Sequence, residues 1–183
     1  ELAPPELVFE HAMTIERMAP GERSSYLARL QESKVVLIRS MISDQLRYIN
    51  IAKEWFTLHD LSEIRRRKIG AGRIGGKAAG MLLAARVLNE VADESLKACL
   101  RTPESYFIGS DEMYTFMSIN GLVHWNDQKY KNEEQMRADY PQIAEDFLAG
   151  EFPPDILEQL QTLLDRVGRS PLIVRSSSLL EDN

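Results

Sequence analysis

Residues 68–80 read KIGAGRIGGKAAG. Five of the chain's ten glycines, Gly70, Gly72, Gly75, Gly76 and Gly80, fall in this stretch, beside Arg73 and Lys77. Glycine lets a backbone approach a ligand closely and adopt positive φ. The run that follows, GKAAGMLLAARVLNEVA, places Ala79, Leu83, Val87 and Val91 on one helical face, flanked by Leu82 and Leu88. A helix starting near Gly76 would aim its first N–H groups at whatever lies before it, and such an end suits an anion. Lys77 in that first turn costs the helix dipole a few tenths of a kcal/mol (about 0.3 at least). An anion shared between Lys77 and the helix end would explain the cation. A glycine-rich turn with Lys77 in solvent is the competing reading of the loop by itself.

Two familiar phosphate loops fit poorly. Gly70, Gly72 and Gly75 match the dinucleotide fingerprint by letter, but EIRRRKI before them is a poor central strand, and Glu90 and Asp93 fall in or at the end of a helix. A P-loop would need glycine at position 71 and a hydroxyl after the lysine, where this chain has Ala71 and Ala78.

Charge supports a local anion site rather than a coat of basic surface. The net charge is −6. Between Asp60 and Arg86, however, the cations Arg65, Arg66, Arg67, Lys68, Arg73, Lys77 and Arg86 outnumber Asp60 and Glu63 by five. An acidic chain with one basic island is a poor nucleic-acid binder. A single cysteine, Cys99, excludes an intrachain disulfide and reads as a small apolar filler. No apolar run approaches the ~20 residues of a membrane span. A cytoplasmic protein with no membrane partner is expected.

Outward from the loop, residues 1–22 read as an extended lead-in because of Pro4, Pro5, Pro20 and Gly21. Residues 23–56 carry a three-and-four apolar spacing that predicts a helical hairpin or a broken long helix, with Ser33 as a candidate cap. Asp60 and Glu63 suggest a capping box. Tyr106–Ile108 reads as a short strand, followed by a helix from Ser110 to Gly121. Two acidic amphipathic helices follow. One spans about 132–148 and is interrupted at Pro141; the other starts at Pro153-Pro154-Asp155 and ends at Gly168. PLIVRSS at 171–177 reads as a buried strand delivering Arg175, Ser176 and Ser177 at its end. Arg175 offers a planar fork for phosphate oxygens and the serines add donors. Pairing of Arg175 with Glu181 or Asp182 is the plainer alternative.

Taken together, GGKAAGM, then TPESYFIGSDEMYTFM, then PLIVRSSSLLED resembles the N-terminal nucleotide-binding domain of the phosphoenolpyruvate synthase and pyruvate, phosphate dikinase family. The order and intervals agree from about Lys68 to Asp182, while Leu2 to about Phe56 lies outside. Thr102-Pro103-Glu104 departs from the usual Pro-Pro-Gly, and Ser178-Leu179-Leu180 from a small trio. The resemblance implies an α/β fold, mostly helical with a small sheet, forming the first part of an ATP-grasp-like domain. The expected organisation is a helical extension over 1–60 and, over 61–183, a nucleotide-binding part truncated at its C-terminus. The start at Glu1 and the end at EDN read as a piece of a longer protein.

The resemblance also implies a site. Lys77 and Arg175 would be phosphate ligands, with the backbone around Gly75 and Gly76 nearby and Arg67 a weaker electrostatic contributor; Ser176 and Ser177 join the candidate site as the neutral donors beside Arg175. ATP is the expected cofactor, with Mg2+ held outside this segment. In the family, ATP phosphorylates a carrier histidine on another domain, which passes phosphate to pyruvate or a related acceptor. His11, His59 and His124 stand in no such carrier motif. This segment alone is expected to be inactive, a homo-oligomer is open, and a non-catalytic nucleotide-sensing or interaction module is the alternative function.

Overall fold

The computed structural model describes residues 4–176. They form two compact units, residues 4–109 with 174–176 and residues 110–173.

The first unit opens with helix α1 (Pro5–Glu16), where the extended lead-in was expected. Pro5 sits in its first turn, where proline's missing N–H costs nothing. Phe9, Ala12 and Ile15 are buried at three-residue spacing, and their burial outweighs the two prolines. After the short α2 (Pro20–Arg23) and a 3₁₀ turn at Ser24–Tyr26 comes α3 (Leu27–Met41). It runs unbroken through Ser33. The serine is buried, and its hydroxyl donates back to the Arg29 carbonyl at 2.9 Å, so it caps nothing. The hairpin partner is α4 (Leu46–Trp55).

Helix α5 (Leu58–Arg66) is capped one turn earlier than the Asp60–Glu63 pattern suggests. Thr57 Oγ1 accepts from the Asp60 N–H at 3.1 Å, and Asp60 Oδ2 accepts from the Thr57 N–H at 2.8 Å. Burial of Leu58, Leu61 and Ile64 fixes this register, since a later start would leave Leu58 outside the helix. A two-residue strand β1 (Lys68–Ile69) leads into the glycine loop, and α6 (Gly76–Val91) leaves it. Of the predicted α6 face only Ala79 is fully buried; Leu82 and Leu83 are partly covered, while Leu88 and Val91 are exposed. Helix α7 (Glu94–Cys99) follows, with Cys99 exposed rather than packed. Then β2 (Phe107–Ile108) pairs parallel to β1, Lys68 opposite Phe107 and Ile69 opposite Ile108. Parallel pairing requires a crossover, which α6 and α7 supply.

One core serves this unit. It joins Phe9 of α1, Leu37, Ile38 and Met41 of α3, Ile49 of α4 and Leu61 of α5 to Ile74 of the loop, Ala79 of α6 and Phe107 of β2. The N-terminal helices therefore share their apolar interior with the glycine loop.

Residues 171–176 form no strand, and Leu172, Ile173 and Val174 are exposed. A strand needs a neighbour for its backbone hydrogen bonds. Among the described residues β1 and β2 pair only with each other, which leaves PLIVRS without a ladder.

The second unit contains α8 (Ser110–Ile119), a 3₁₀ segment at Val123–Tyr130, α9 (Glu133–Ala149) and α10 (Pro154–Val167). Helix α9 continues through Pro141. Its Asn132–Gln135 capping box and length absorb the one hydrogen bond that proline removes. Phe116, Met117 and Leu122 form a small core, and the Phe116 ring lies 5.0 Å from that of Phe152. A Cβ at Gly150 would sit 2.4 Å from Phe116 Cζ, so this position needs glycine.

Carboxylates tie the second unit together. Trp125 Nε1 donates to Asp146 at 2.8 Å, and Gln128 and Lys131 both bond Asp139. The Lys131 and Gln128 hydrogen bonds hold Asp139 below its ordinary value of 3.8, and those of Gln142 and Trp125 do the same for Asp146. A carboxylate whose folded value is depressed contributes stability above its unfolded value and loses it as pH falls through the folded one. The second unit is therefore expected to lose stability as pH falls through and below the ordinary aspartate range. Trp125 fluorescence in a Trp55→Phe background reads this unit's melting, and Asp139→Asn should flatten the dependence. An equally steep acid loss in Asp139→Asn would contradict the assignment.

Candidate functional site: a glycine loop opening a helix

The loop is anchored at both ends before any ligand is considered. On the strand side, Phe107 N–H donates to the Arg67 carbonyl at 2.9 Å and Gly109 N–H to the Ile69 carbonyl at 2.8 Å. Gly70 has φ +80°, which turns the chain out of β1. The Lys68 ammonium reaches into the loop and donates to the carbonyls of Gly70 and Gly72, the latter at 2.9 Å. On the helix side, Ile74 is buried, and Gly75 takes φ +80° and ψ +166° as the N-cap of α6. That conformation is essentially confined to glycine. Gly75 is itself buried, Gly76 half-buried and Lys77 exposed on the first turn. Gly75 brings no side chain to fold back over the start of α6, and no side-chain cap bond is made there.

The basic island is mostly spent inside the fold. Arg65 pairs with Glu6 at 3.3 Å, Arg66 with Glu63 at 2.7 Å and Arg73 with Asp44 at 2.9 Å. Arg86 bridges Asp60 at 3.1 Å and Glu90 at 3.0 Å, and Arg67 Nε donates to the Glu63 carbonyl at 3.3 Å. Clustered in sequence, these cations meet carboxylates from α1, α5, α6 and the bend between α3 and α4. A count of charges along the chain overstates the field left for a ligand, and Arg67 is held by its own helix end.

Gly75, Gly76 and Lys77 stand together at the mouth of α6. Arg175 and Ser176 are exposed and group with the same unit as the loop. Ser177 lies outside the described residues, as do Glu181 and Asp182. Sequence reasoning missed Lys68, Asp44, Tyr48 and the Met41 carbonyl as loop supports. Lys68 was counted only as charge. The other three come from α3, α4 and the bend between them, far back in the chain, and no local pattern marks them.

A cleft of about 430 Å³ opens elsewhere in the first unit, lined by Glu16, Lys34, Glu54, Trp55, Arg86 and Glu90 among others. Arg86 lies ten residues along α6 from Gly76, roughly 15 Å of helix. Burial pushes the Lys34 amine down, against the pull of Glu54, Asp60 and Glu16. This mixed, net acidic lining is a poor place for phosphate. Among the described residues no group of three acidic, imidazole or thiol side chains is set to hold a metal ion, and no helix is long and apolar enough to cross a membrane.

The family model described as pyruvate phosphate dikinase, AMP/ATP-binding domain, matches residues 71–183, from the glycine loop onward. Comparisons with curated proteins and with solved structures found no match. A match over more than half of the chain, beginning at the loop whose glycines open α6, settles the affiliation: the chain belongs to the pyruvate phosphate dikinase AMP/ATP-binding domain family, and is an ATP- or AMP-binding part of a dikinase-like enzyme with an ATP-grasp-like, mostly helical α/β fold.

Proposed function

We propose that this chain holds the triphosphate of ATP for transfer of a phosphoryl group to a carrier histidine on another domain, which then passes it to pyruvate or a related acceptor. Phosphoryl transfer is largely positioning and charge neutralisation. In this reading the first-turn amides of α6 and the Gly75–Gly76 backbone cradle phosphate oxygens, Lys77 supplies charge, and Arg175 with Ser176 and Ser177 closes on the phosphates. The observation that carries it is the buried Gly75 at φ +80° opening α6 within the family match. Charged hydrogen bonds contribute about 1.5–3 kcal/mol each, so Lys77, Arg175 and the helix end together supply about 4–8 kcal/mol. That corresponds to roughly millimolar to micromolar binding.

Magnesium is proposed as the counter-ion that accompanies the nucleotide, with its carboxylate ligands outside this segment. The carrier histidine is proposed to lie on another domain, since His11, His59 and His124 are exposed and match no carrier motif. The setting proposed is cytoplasmic.

Radiolabelled ATP tests the reaction. Incubation with the full-length protein is expected to leave an acid-labile, base-stable label that chases onto pyruvate or its analogue. ATP binding with no label transferred would contradict the phosphotransfer step and favour a nucleotide-sensing module.

A further inference from the structure

We propose that the bend between α3 and α4, residues 42–45, sets the geometry of the glycine loop, with Asp44 and Tyr48 as positioning residues for nucleotide binding. The proposal rests on the nucleotide reading of the loop and adds the part of the chain that the family match leaves out.

Four contacts carry it. The Ile74 N–H donates to the Met41 carbonyl at 3.2 Å, at the C-terminal end of α3. Arg73 Nε donates to the Arg39 carbonyl at 3.1 Å, and Arg73 Nη1 pairs with Asp44 Oδ2 at 2.9 Å. From α4, the Tyr48 hydroxyl donates to the Ala79 carbonyl on α6 at 3.0 Å. Ile74 and Ala79 also share the buried core with Met41, Ile42 and Ile38. The chain is therefore pinned at residues 73 and 74 and again at 79. Gly75, Gly76 and Lys77 lie between the pins.

The bend is suited to act as a fixed point. Ser43 is buried, its N–H donates to the Ile38 carbonyl at 3.1 Å, and its hydroxyl accepts from the Gln45 N–H at 3.3 Å. Burial raises the Tyr48 hydroxyl's pKa, so it remains a donor across the physiological range. A phosphate cradle depends on amides held within a fraction of an ångström, so whatever fixes residues 74–79 fixes the site. The Arg73–Asp44 pair is part-exposed, 34% and 46% at its two side chains. Pairs of that kind contribute little to global stability. Their loss can loosen the loop while the helical core stays folded.

Amide hydrogen exchange on the nucleotide-free full-length protein reads the tether directly. In Asp44→Ala and in Tyr48→Phe, exchange at the Ile74 and Ala79 amides is expected to rise about threefold or more, with α10 unchanged. Calorimetric affinity for Mg-ATP should fall by about threefold in the same variants, and Asp44→Glu should recover both readouts. Unchanged exchange at Ile74 and Ala79 in both variants would overturn the proposal. Raised exchange with unaltered Mg-ATP affinity would overturn the positioning role. Loss of affinity in Arg73→Ala but not in Asp44→Ala would make Arg73 a direct ligand and also overturn it. A wild-type protein that binds no Mg-ATP while its loop exchange still responds to Asp44→Ala would instead remove the nucleotide reading and leave the tether standing.

Discussion

Replacing Gly75 with valine is expected to lower the affinity of the full-length protein for Mg-ATP at least about tenfold. Gly75 holds φ +80° and ψ +166°, a region that side-chain-bearing residues occupy at a cost of about 1–3 kcal/mol, more for a β-branched one. The position is buried, between the pinned Ile74 and the first turn of α6. The chain cannot relieve the strain at Ile74 without giving up the Met41 hydrogen bond and a buried side chain. The strain is therefore expected to move the start of α6, where the amides meant for phosphate lie. Gly121→Ala is the control. It carries a similar φ of +69° with nothing within 4 Å, and it belongs to the other unit. It should reduce stability by about 1 kcal/mol or somewhat more and leave Mg-ATP affinity unchanged. Equal nucleotide affinity in Gly75→Val and wild type would contradict the loop's role.

Lys77→Ala and Arg175→Ala are each expected to weaken Mg-ATP binding by about tenfold or more, from the loss of a charged hydrogen bond to phosphate. Both side chains are exposed, so truncation should leave the fold intact. At this exposed first-turn position the helix-dipole and surface-charge effects are both small, and an apo melting temperature close to wild type is expected. Reduced affinity without reduced stability separates a ligand contact from a structural one. Raising salt should weaken binding in wild type more than in either variant, because screening acts on charges the variants lack. Unchanged calorimetric affinity in both variants would remove Lys77 and Arg175 from the site.

How much of this was legible in the sequence depended on how local its cause was. The start of α6 at Gly76 followed from glycines, apolar spacing and the helix end, all within one window. The β2 strand and α10 with its Gly168 stop were equally local. Helix α1 escapes a sequence reading because prolines at 4, 5 and 20 suggest an extended lead-in, whereas Phe9 and Ala12 find an apolar surface on α3 that no window of sequence contains. The α5 cap was misplaced by one turn because two overlapping acid patterns, Thr57–Asp60 and Asp60–Glu63, were both available, and burial of Leu58 chose between them. PLIVRS looks like a strand by composition, but a strand exists only with a neighbour. Clustered cations suggest a field for an anion, but long-range pairing to Glu6, Asp44 and Asp60 uses much of it. Asp44 and Tyr48 were invisible for the same reason. Their meaning lies 29 and 31 residues away, at Arg73 and Ala79.

The most direct measurement is a calorimetric titration of Mg-ATP into the full-length wild-type protein at physiological salt. Saturable binding at one site per chain, between about millimolar and micromolar and at least about tenfold weaker in Gly75→Val, is the predicted result. No saturable heat up to several times the upper end of that range, from a protein that melts cooperatively, would contradict the assignment of the glycine loop as a nucleotide cradle.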